Sequence, residues 1–277
     1  MLTLSQLKDR KTGIGASECA AVLGIDPYTT PYELWLMKTG RMERDLSNNE
    51  AVIMGNMLEP VIAKRYAQLT NQRVCRVNAA FRHKDLPFML CHLDRKVIGL
   101  TKAVEIKTAN PFSKQWGEAG SDEVPLQYVA QIQHQLAVTG WDSADLIVFR
   151  GTTDLRIYPF VRADNLINVI INKITHFWNY HILQDMPPAP TTREDVNSIY
   201  PLNNGNYIAT NSDIISAIKI LEETKKKIKA LENDKKTYET HIINYIKDND
   251  GIRQEDEIIA TYKANKNGTR TLRINEV

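Results

Sequence analysis

The sequence predicts an α/β protein: a small mixed central sheet flanked by helices, followed by a helical arm and a terminal β-hairpin. Between residues 50 and 183, stretches with apolar residues at helical spacing alternate with short β-rich runs, the pattern of a sheet covered by helices. Met186-Pro187-Pro188-Ala189-Pro190 then interrupts the chain before a lysine-rich helical stretch, because consecutive prolines cannot continue a helix and favour extended backbone. Length supplies the third observation. The 277 residues are 43% hydrophobic with only 13 Gly and 11 Pro, enough to bury a substantial core and unlike disordered or collagen-like chains. The expected organisation is a first domain over 1–186, a linker over 187–210, and the arm with its hairpin over 211–277.

In chain order, Ser17 to Leu23, closed by Gly24, reads as a short helix with Ser17 at or near its N-cap. Thr30-Pro31-Tyr32-Glu33 offers a capping box with proline in the first turn, and that helix ends at Gly40. From Glu50 to Leu69 the residues Val52, Ile53, Met57, Leu58, Val61, Ile62, Tyr66 and Leu69 recur at helical spacing, with Glu59 in the middle. The period then changes. Arg73 to Val77, Phe88 to Leu93 and Ala103 to Thr108 are expected strands, with Leu86-Pro87 and Gly99 as punctuation. Val124 to Val138 returns to helical spacing, its apolar stripe Val129, Ile132 and Leu136 opposed by Gln127, Tyr128, Gln131 and Gln135. Ala144 to Arg150 and Leu155 to Val161 form strands around Gly151-Thr152-Thr153-Asp154, and a helix follows from Asp164 to Leu183. In the arm, Ser212 to Lys247 carries apolar residues in an interrupted heptad spacing, which suits a helical hairpin, a seam against a partner or a solvated arm. Glu257 to Tyr262 and Thr269 to Ile274 flank Lys266-Asn267-Gly268 as a hairpin.

Several classes are set aside. Cys19, Cys75 and Cys91 are an odd number at wide spacings, which indicates neither a disulfide framework nor a thiolate metal cluster, and speaks against an iron–sulphur centre. No apolar run approaches the ~20 residues of a membrane-spanning helix, and the start lacks the apolar stretch of a secretory signal, so a cytoplasmic protein is expected. The formal net charge of +2 decides nothing about nucleic acid, because a basic surface and metal-binding carboxylates cancel in the total.

Chemistry concentrates in Ala103-Val104-Glu105-Ile106-Lys107-Thr108. Alternate strand residues share a face, so Val104 and Ile106 point into the core while Glu105 and Lys107 project together from the other side. Asp94 ends the run Met89-Leu90-Cys91-His92-Leu93, and an adjacent strand brings its carboxylate beside Glu105. Asp94 and Glu105, with the Ile106 backbone carbonyl, are suitable ligands for Mg2+, a hard cation held by one or two carboxylates plus substrate phosphate. Lys107 is placed to orient or deprotonate a water and to stabilise charge on phosphorus. Taken alone, the pattern also fits a solvated strand face. Glu59, just before Pro60, is a further acidic candidate, and Tyr128 and Gln131, three residues apart on one helix, are placed to bond phosphate or a metal-held water.

These residues carry a resemblance. Asp, then Glu-x-Lys on a neighbouring strand, is the minimal grammar of the PD-(D/E)xK nucleases. Gly13-Ile14-Gly15-Ala16-Ser17-Glu18, Pro31-Tyr32-Glu33-Leu34-Trp35, Gly55-x-x-Leu58-Glu59-Pro60, His92-Leu93-Asp94, Glu105-Ile106-Lys107 and Tyr128-x-x-Gln131-x-Gln133-His134-Gln135-Leu136 resemble, in that order, the lambda-type phage exonuclease family, in particular its YqaJ-type viral recombinase branch. The resemblance covers about Arg10 to Arg150. It implies a restriction-endonuclease-like core in which Asp94 and Glu105 are the principal metal ligands, Glu59 an additional one, Lys107 the catalytic lysine and Gln131 a helper near the scissile phosphate. It implies Mg2+, with Mn2+ as a substitute, and makes Arg10 and Ser17 the receivers of a 5′-terminal phosphate, a role that suits a helix N-terminus and a guanidinium. Arg95 stands where relatives commonly have glycine, so the turn differs or Arg95 contacts phosphate.

The activity implied is processive 5′-to-3′ digestion of linear double-stranded DNA, leaving 3′ single-stranded tails for a phage-type single-strand annealing protein. A homo-oligomer, a ring-shaped trimer in relatives, and a phage or prophage origin in a bacterial host complete the expectation. Two other readings are a structure-specific endonuclease or nuclease subunit of a repair assembly, and a DNA-end-binding module without catalysis.

Overall fold

The computed structural model describes residues 12–275. They fall into two compact units, one ending at Leu202 and the other beginning at Asn203.

The first unit opens with a two-residue strand, β1 (Ile14–Gly15), which pairs in parallel with β4 (Met89–Cys91). That approach requires glycine at position 13, where a Cβ would lie 2.3 Å from the Phe88 carbonyl oxygen. A single 3-10 turn, Ala16–Glu18, leads into α1 (Cys19–Val22). The N-terminal cap is Gly15, not Ser17; the Glu18 carboxylate reaches back to accept the Gly15 N–H at 2.8 Å. Helix α2 (Pro31–Lys38) has the expected capping box: Thr30 Oγ1 accepts the Glu33 N–H at 3.0 Å and Glu33 accepts the Thr30 N–H at 3.1 Å. The long α3 (Glu50–Thr70) starts at Asn49, whose side chain accepts the Val52 N–H, and ends at Asn71 in the left-handed conformation, φ 53°.

Five strands form the central sheet in the order β2 (Val74–Arg76), β5 (Arg95–Val97), β6 (Lys102–Ala109), β7 (Ser143–Arg150) and β8 (Asp154–Val161). All neighbours are antiparallel except β6 and β7, which run parallel because α4 (Leu126–Thr139) carries the chain back between them. A second small sheet joins β1, β4 and β3 (Phe81–Arg82). The two helices cover opposite faces of the central sheet. Val104, Ile106 and Ile147 pack under Ile62 and Tyr66 of α3, while Ala103, Leu146 and Val148 meet Ile132 and Leu136 of α4. A buried tie fastens α3 to β7: Tyr66 Oη donates to Asp145 Oδ2 at 2.6 Å, and Lys102 Nζ lies 2.7 Å from the same oxygen.

The helix expected over Asp164 to Leu183 is α5 (Asp164–His176) followed by a π-helical segment, Phe177–Ile182. Part of the stretch read as a linker is also ordered. Arg193–Ile199 forms α6, because Thr192 and Asp195 make a capping box that the proline-rich composition conceals. Asp195 is buried and accepts the Thr30 hydroxyl at 2.8 Å, fixing α6 to the start of α2.

The second unit contains α7 (Ser212–Ile246) and an antiparallel sheet of β9 (Gly251–Gln254), β10 (Glu257–Ala264) and β11 (Arg270–Ile274). The expected hairpin is β10–β11; β9, only four residues long, adds a third strand. No helix among the described residues is long and apolar enough to cross a membrane.

Candidate active site

Strand alternation sets the geometry of the site. Glu105 and Lys107 lie two residues apart on β6, so both face the α4 side of the sheet, and Lys107 Nζ stands 2.6 Å from Glu105 Oε1. Glu105 is only 3% exposed. Two amides from α4 hold it: Gln131 Nε2 donates to Oε1 at 2.6 Å and Gln135 Nε2 donates to Oε2 at 2.7 Å. Residues four apart share a helix face, which is the signal that pairs Gln135 with Gln131. The sequence reading gave only Gln131 a role.

Asp94 precedes β5, which pairs antiparallel with β6, with Arg95 opposite Val104. Its Oδ2 accepts the Ile106 N–H at 2.9 Å, tying the aspartate to the strand that carries Glu105 and Lys107. Burial first, and then the Glu105 carboxylate, push the Asp94 carboxyl up to about 7 against the pull of Lys107 and the Ile106 N–H. For Lys107, burial works against the ammonium, but Glu105 and Asp94 outweigh it and raise its pKa, so it is charged at neutral pH.

Asp94, Glu105, Lys107 and Gln131 line one cleft of about 610 Å3. Ser17, exposed on its 3-10 turn, lies on the same cleft, as do Arg44 and Asp45 from the α2–α3 connection and Asn56 from α3. The turn bearing Ser17 is anchored from below, where the nearly buried Lys38 ammonium bonds Glu18 Oε2 at 2.6 Å and the Gly13 carbonyl at 2.7 Å. Arg10 lies outside the described residues.

Three expected site residues are arranged differently from the others. Arg95 is buried, and its guanidinium bonds Glu59 Oε1 at 2.5 Å and the Asp94 carbonyl at 2.6 Å, so it faces Glu59 and the chain itself. Glu59 is engaged in that ion pair. Tyr128 presents its ring 5.7 Å from Lys107 Nζ and stacks on Trp116 at 5.3 Å; burial raises its phenol above the ordinary value, which keeps it neutral. His134, within the same helix motif, is fully buried with Nε2 3.0 Å from the Leu90 carbonyl, and burial lowers its pKa to about 4. It is a neutral strut between α4 and β4.

Among the described residues no group of three His, Cys, Asp or Glu side chains converges. Once Asp94 is ionised, two carboxylates facing one ammonium nevertheless leave the cleft floor with excess negative charge. A hard divalent cation that takes few protein ligands and keeps its waters suits that donor set. The raised Asp94 gives a direct expectation for stability without metal. An unfolded aspartate titrates near ~3.9, so the stability linked to this group is fully present below that pH and is lost as pH rises through about 7. Asp94→Asn, which keeps an acceptor for the Ile106 N–H, is therefore expected to melt higher than the parent in chelator at pH 8. The advantage should fade as pH falls toward 4, as thermal melts across that range will show.

Residues 6–142, which include all four residues on the cleft floor, match the model of the family described as YqaJ-like viral recombinase domain. The uncharacterized protein YqaJ of Bacillus subtilis (strain 168) is 34% identical over 186 residues, covering 66% of this chain and 57% of that protein. The uncharacterized protein R354 of Acanthamoeba polyphaga mimivirus is 28% identical over 183 residues, 61% of this chain and 33% of its own. The chain thus spans just over half of the first relative's length and a third of the second's. Among solved structures, an alkaline exonuclease (LHK-Exo) from Laribacter hongkongensis is similar with a TM-score of 0.51 at 22% identity, over 64% of this chain and 91% of that one. That likeness shows the fold, a mixed sheet flanked by helices, as the sequence predicts. Through residues 6–142, just under half of its length, the chain is similar to the YqaJ-like viral recombinase domain.

Proposed function

We propose that this chain is a divalent-metal-dependent deoxyribonuclease, an exonuclease that digests linear double-stranded DNA 5′ to 3′ and leaves 3′ single-stranded tails for a phage-type annealing protein. The observation that supports this most is the meeting of Asp94, Glu105, Lys107 and Gln131 on one cleft, with Ser17 at its wall. Asp94 and Glu105, with the Ile106 backbone carbonyl, are assigned to Mg2+, or Mn2+ in its place. When bound, the ion supplies Lewis-acid stabilisation of the phosphate and an acidified water.

The chain's own residues do the rest. Gln131 and Gln135 hold Glu105 in one orientation, so little reorganisation is needed when substrate arrives. Lys107, held protonated by its carboxylate neighbours, acts as a fixed positive charge beside the scissile phosphate and not as a base. The neutral Tyr128 ring limits where that ammonium can go. Glu59 and Arg95 are given a supporting role, bracing the Asp94 backbone through the Arg95 bond to its carbonyl. Ser17, with Arg10, receives the 5′-terminal phosphate. A homo-oligomer closed around DNA would retain the duplex between cuts, and the setting is the cytoplasm of a bacterial host.

Digestion of linear duplex labelled separately at each 5′ and 3′ terminus tests the reading. In Mg2+ the 5′ label is expected to leave first as mononucleotide, and covalently closed circular DNA should survive. Cleavage of the circle would favour a structure-specific endonuclease, and end binding without metal-dependent release would favour a non-catalytic module. Phosphorylated 5′ ends should be attacked faster than hydroxyl ends; equal initiation rates would remove Arg10 and Ser17 from the site.

A further inference from the structure

Helix α7 runs for 35 residues, Ser212–Ile246, and within its unit the apolar seam along its length is uncovered: Leu221 is 53% exposed, Ile228 51%, Leu231 66% and Tyr238 69%. A helix of that length, about 50 Å, gains little from propensity alone and takes most of its stability from packing such a seam. The seam is heptad-spaced. With Ile214 as an a position, the a positions are Ile214, Leu221, Ile228, Lys235 and Ile242. The d positions are then Ala217, Thr224, Leu231, Tyr238 and Tyr245.

Charge decides what covers it. The positions flanking the seam carry Lys225, Glu232 and Glu239 on the e side and Lys227 and Asp234 on the g side. A second copy laid parallel and in register would pair Lys227 with Glu232 but set Asp234 against Glu239 and stack Lys235 on Lys235, placing like charges together at two levels. Laid antiparallel about an axis between Lys229 and Ala230, the same two helices match across their central levels, with Glu239 beside Ile218 of the partner subunit towards the ends. Ile214 then faces Tyr245 of the partner subunit, Leu221 faces Tyr238 of the partner subunit and Ile228 faces Leu231 of the partner subunit. Lys235 meets Thr224 of the partner subunit, where its stem packs and its ammonium reaches solvent. In the same register e faces e and g faces g, so Lys225 meets Glu232 of the partner subunit and Lys227 meets Asp234 of the partner subunit. By symmetry each pair occurs twice.

We propose that two copies of this chain associate through α7 as an antiparallel coiled coil centred between Lys229 and Ala230. In that orientation the central seam and its flanking charges are complementary to themselves with no like-charged pair, which is the property an isologous two-fold contact requires. The interface is independent of the nuclease reading.

Spin labels in the full chain test both partner and direction. Cys19 and Cys91 are buried and Cys75 is partly exposed, so labels are introduced in a Cys75→Ser background at Lys219→Cys or, separately, at Lys226→Cys, both on the outer face of the helix. Antiparallel pairing offsets the two labels along the axis by about 30 Å at position 219 and about 10 Å at position 226, from the rise of 1.5 Å per residue. The expected result is a dipolar distance clearly longer at 219 than at 226. Equal distances at both sites, or no coupling at either, overturn the proposal. The charges are tested separately: Lys225→Glu with Lys227→Glu should weaken self-association at least tenfold, and adding Glu232→Lys with Asp234→Lys should restore it. Association indifferent to the first pair, or unrepaired by the second, overturns the assigned register.

Discussion

Lys107→Met is expected to lower metal-dependent nucleotide release by about 10²- to 10³-fold, the loss that follows removal of one preorganised charge beside a reacting group. The thermal midpoint should move by only a few degrees. Methionine retains most of the apolar stem, the side chain is a quarter exposed, and Glu105 keeps both glutamine amides. Lys107→Arg should not rescue the rate, since a planar fork cannot occupy the position of a compact ammonium between Glu105 and the ring. Digestion of end-labelled duplex by the purified variant, with a thermal melt of the same preparation, measures both quantities. Parental turnover in Lys107→Met would remove the lysine from the chemistry.

Glu105→Ala combines the loss of activity with a loss of stability. Its carboxylate, nearly buried at the bottom of the cleft, is the common acceptor for Lys107 Nζ, Gln131 Nε2 and Gln135 Nε2. Deleting one side of such a network strands the other, at about 3–5 kcal/mol, which for a chain of this size corresponds to a fall in thermal midpoint of roughly 10 °C. Glu105→Gln should be equally inactive and less destabilised, because it preserves the volume under α4. A Glu105→Ala protein that melts with the parent would show that the amide clamp contributes nothing to the fold.

The strand alternation in β6 made the pairing of Glu105 with Lys107 legible, and the helical period of α4 placed Gln131 on the face that meets them. What the pattern did not reveal is depth. It suggested a polar cleft for both β6 side chains, and both line one, but Glu105 lies deep under α4 while Lys107 is a quarter exposed. A local period reports which residues share a face and not what packs on that face. The same limit explains Arg95: its charge suggested a phosphate, whereas a turn of α3 distant in sequence supplies Glu59 as its partner. Strands β1, β3 and β5 are two or three residues long, too short for any alternation to register, and they exist because neighbouring strands supply their hydrogen bonds. At the amino-terminal turn, Ser17 was read as the cap because serine is a frequent one. Gly15 took that place since Glu18 can satisfy its N–H from within the turn.

The parallel pairing of β6 with β7 fixes when a growing chain can first assemble its cleft. A ribosome that has released residues through Ala109 has delivered Asp94, Glu105 and Lys107, but neither the α4 glutamines nor the strand that completes the sheet beside Glu105. The nascent protein must extend to Arg150 and close the whole of residues 110–142 before those pieces meet, a non-local event of the kind that slows folding. The cleft would then be completed late in synthesis, so that fragments terminated earlier carry the acidic motif without the α4 amides that hold it.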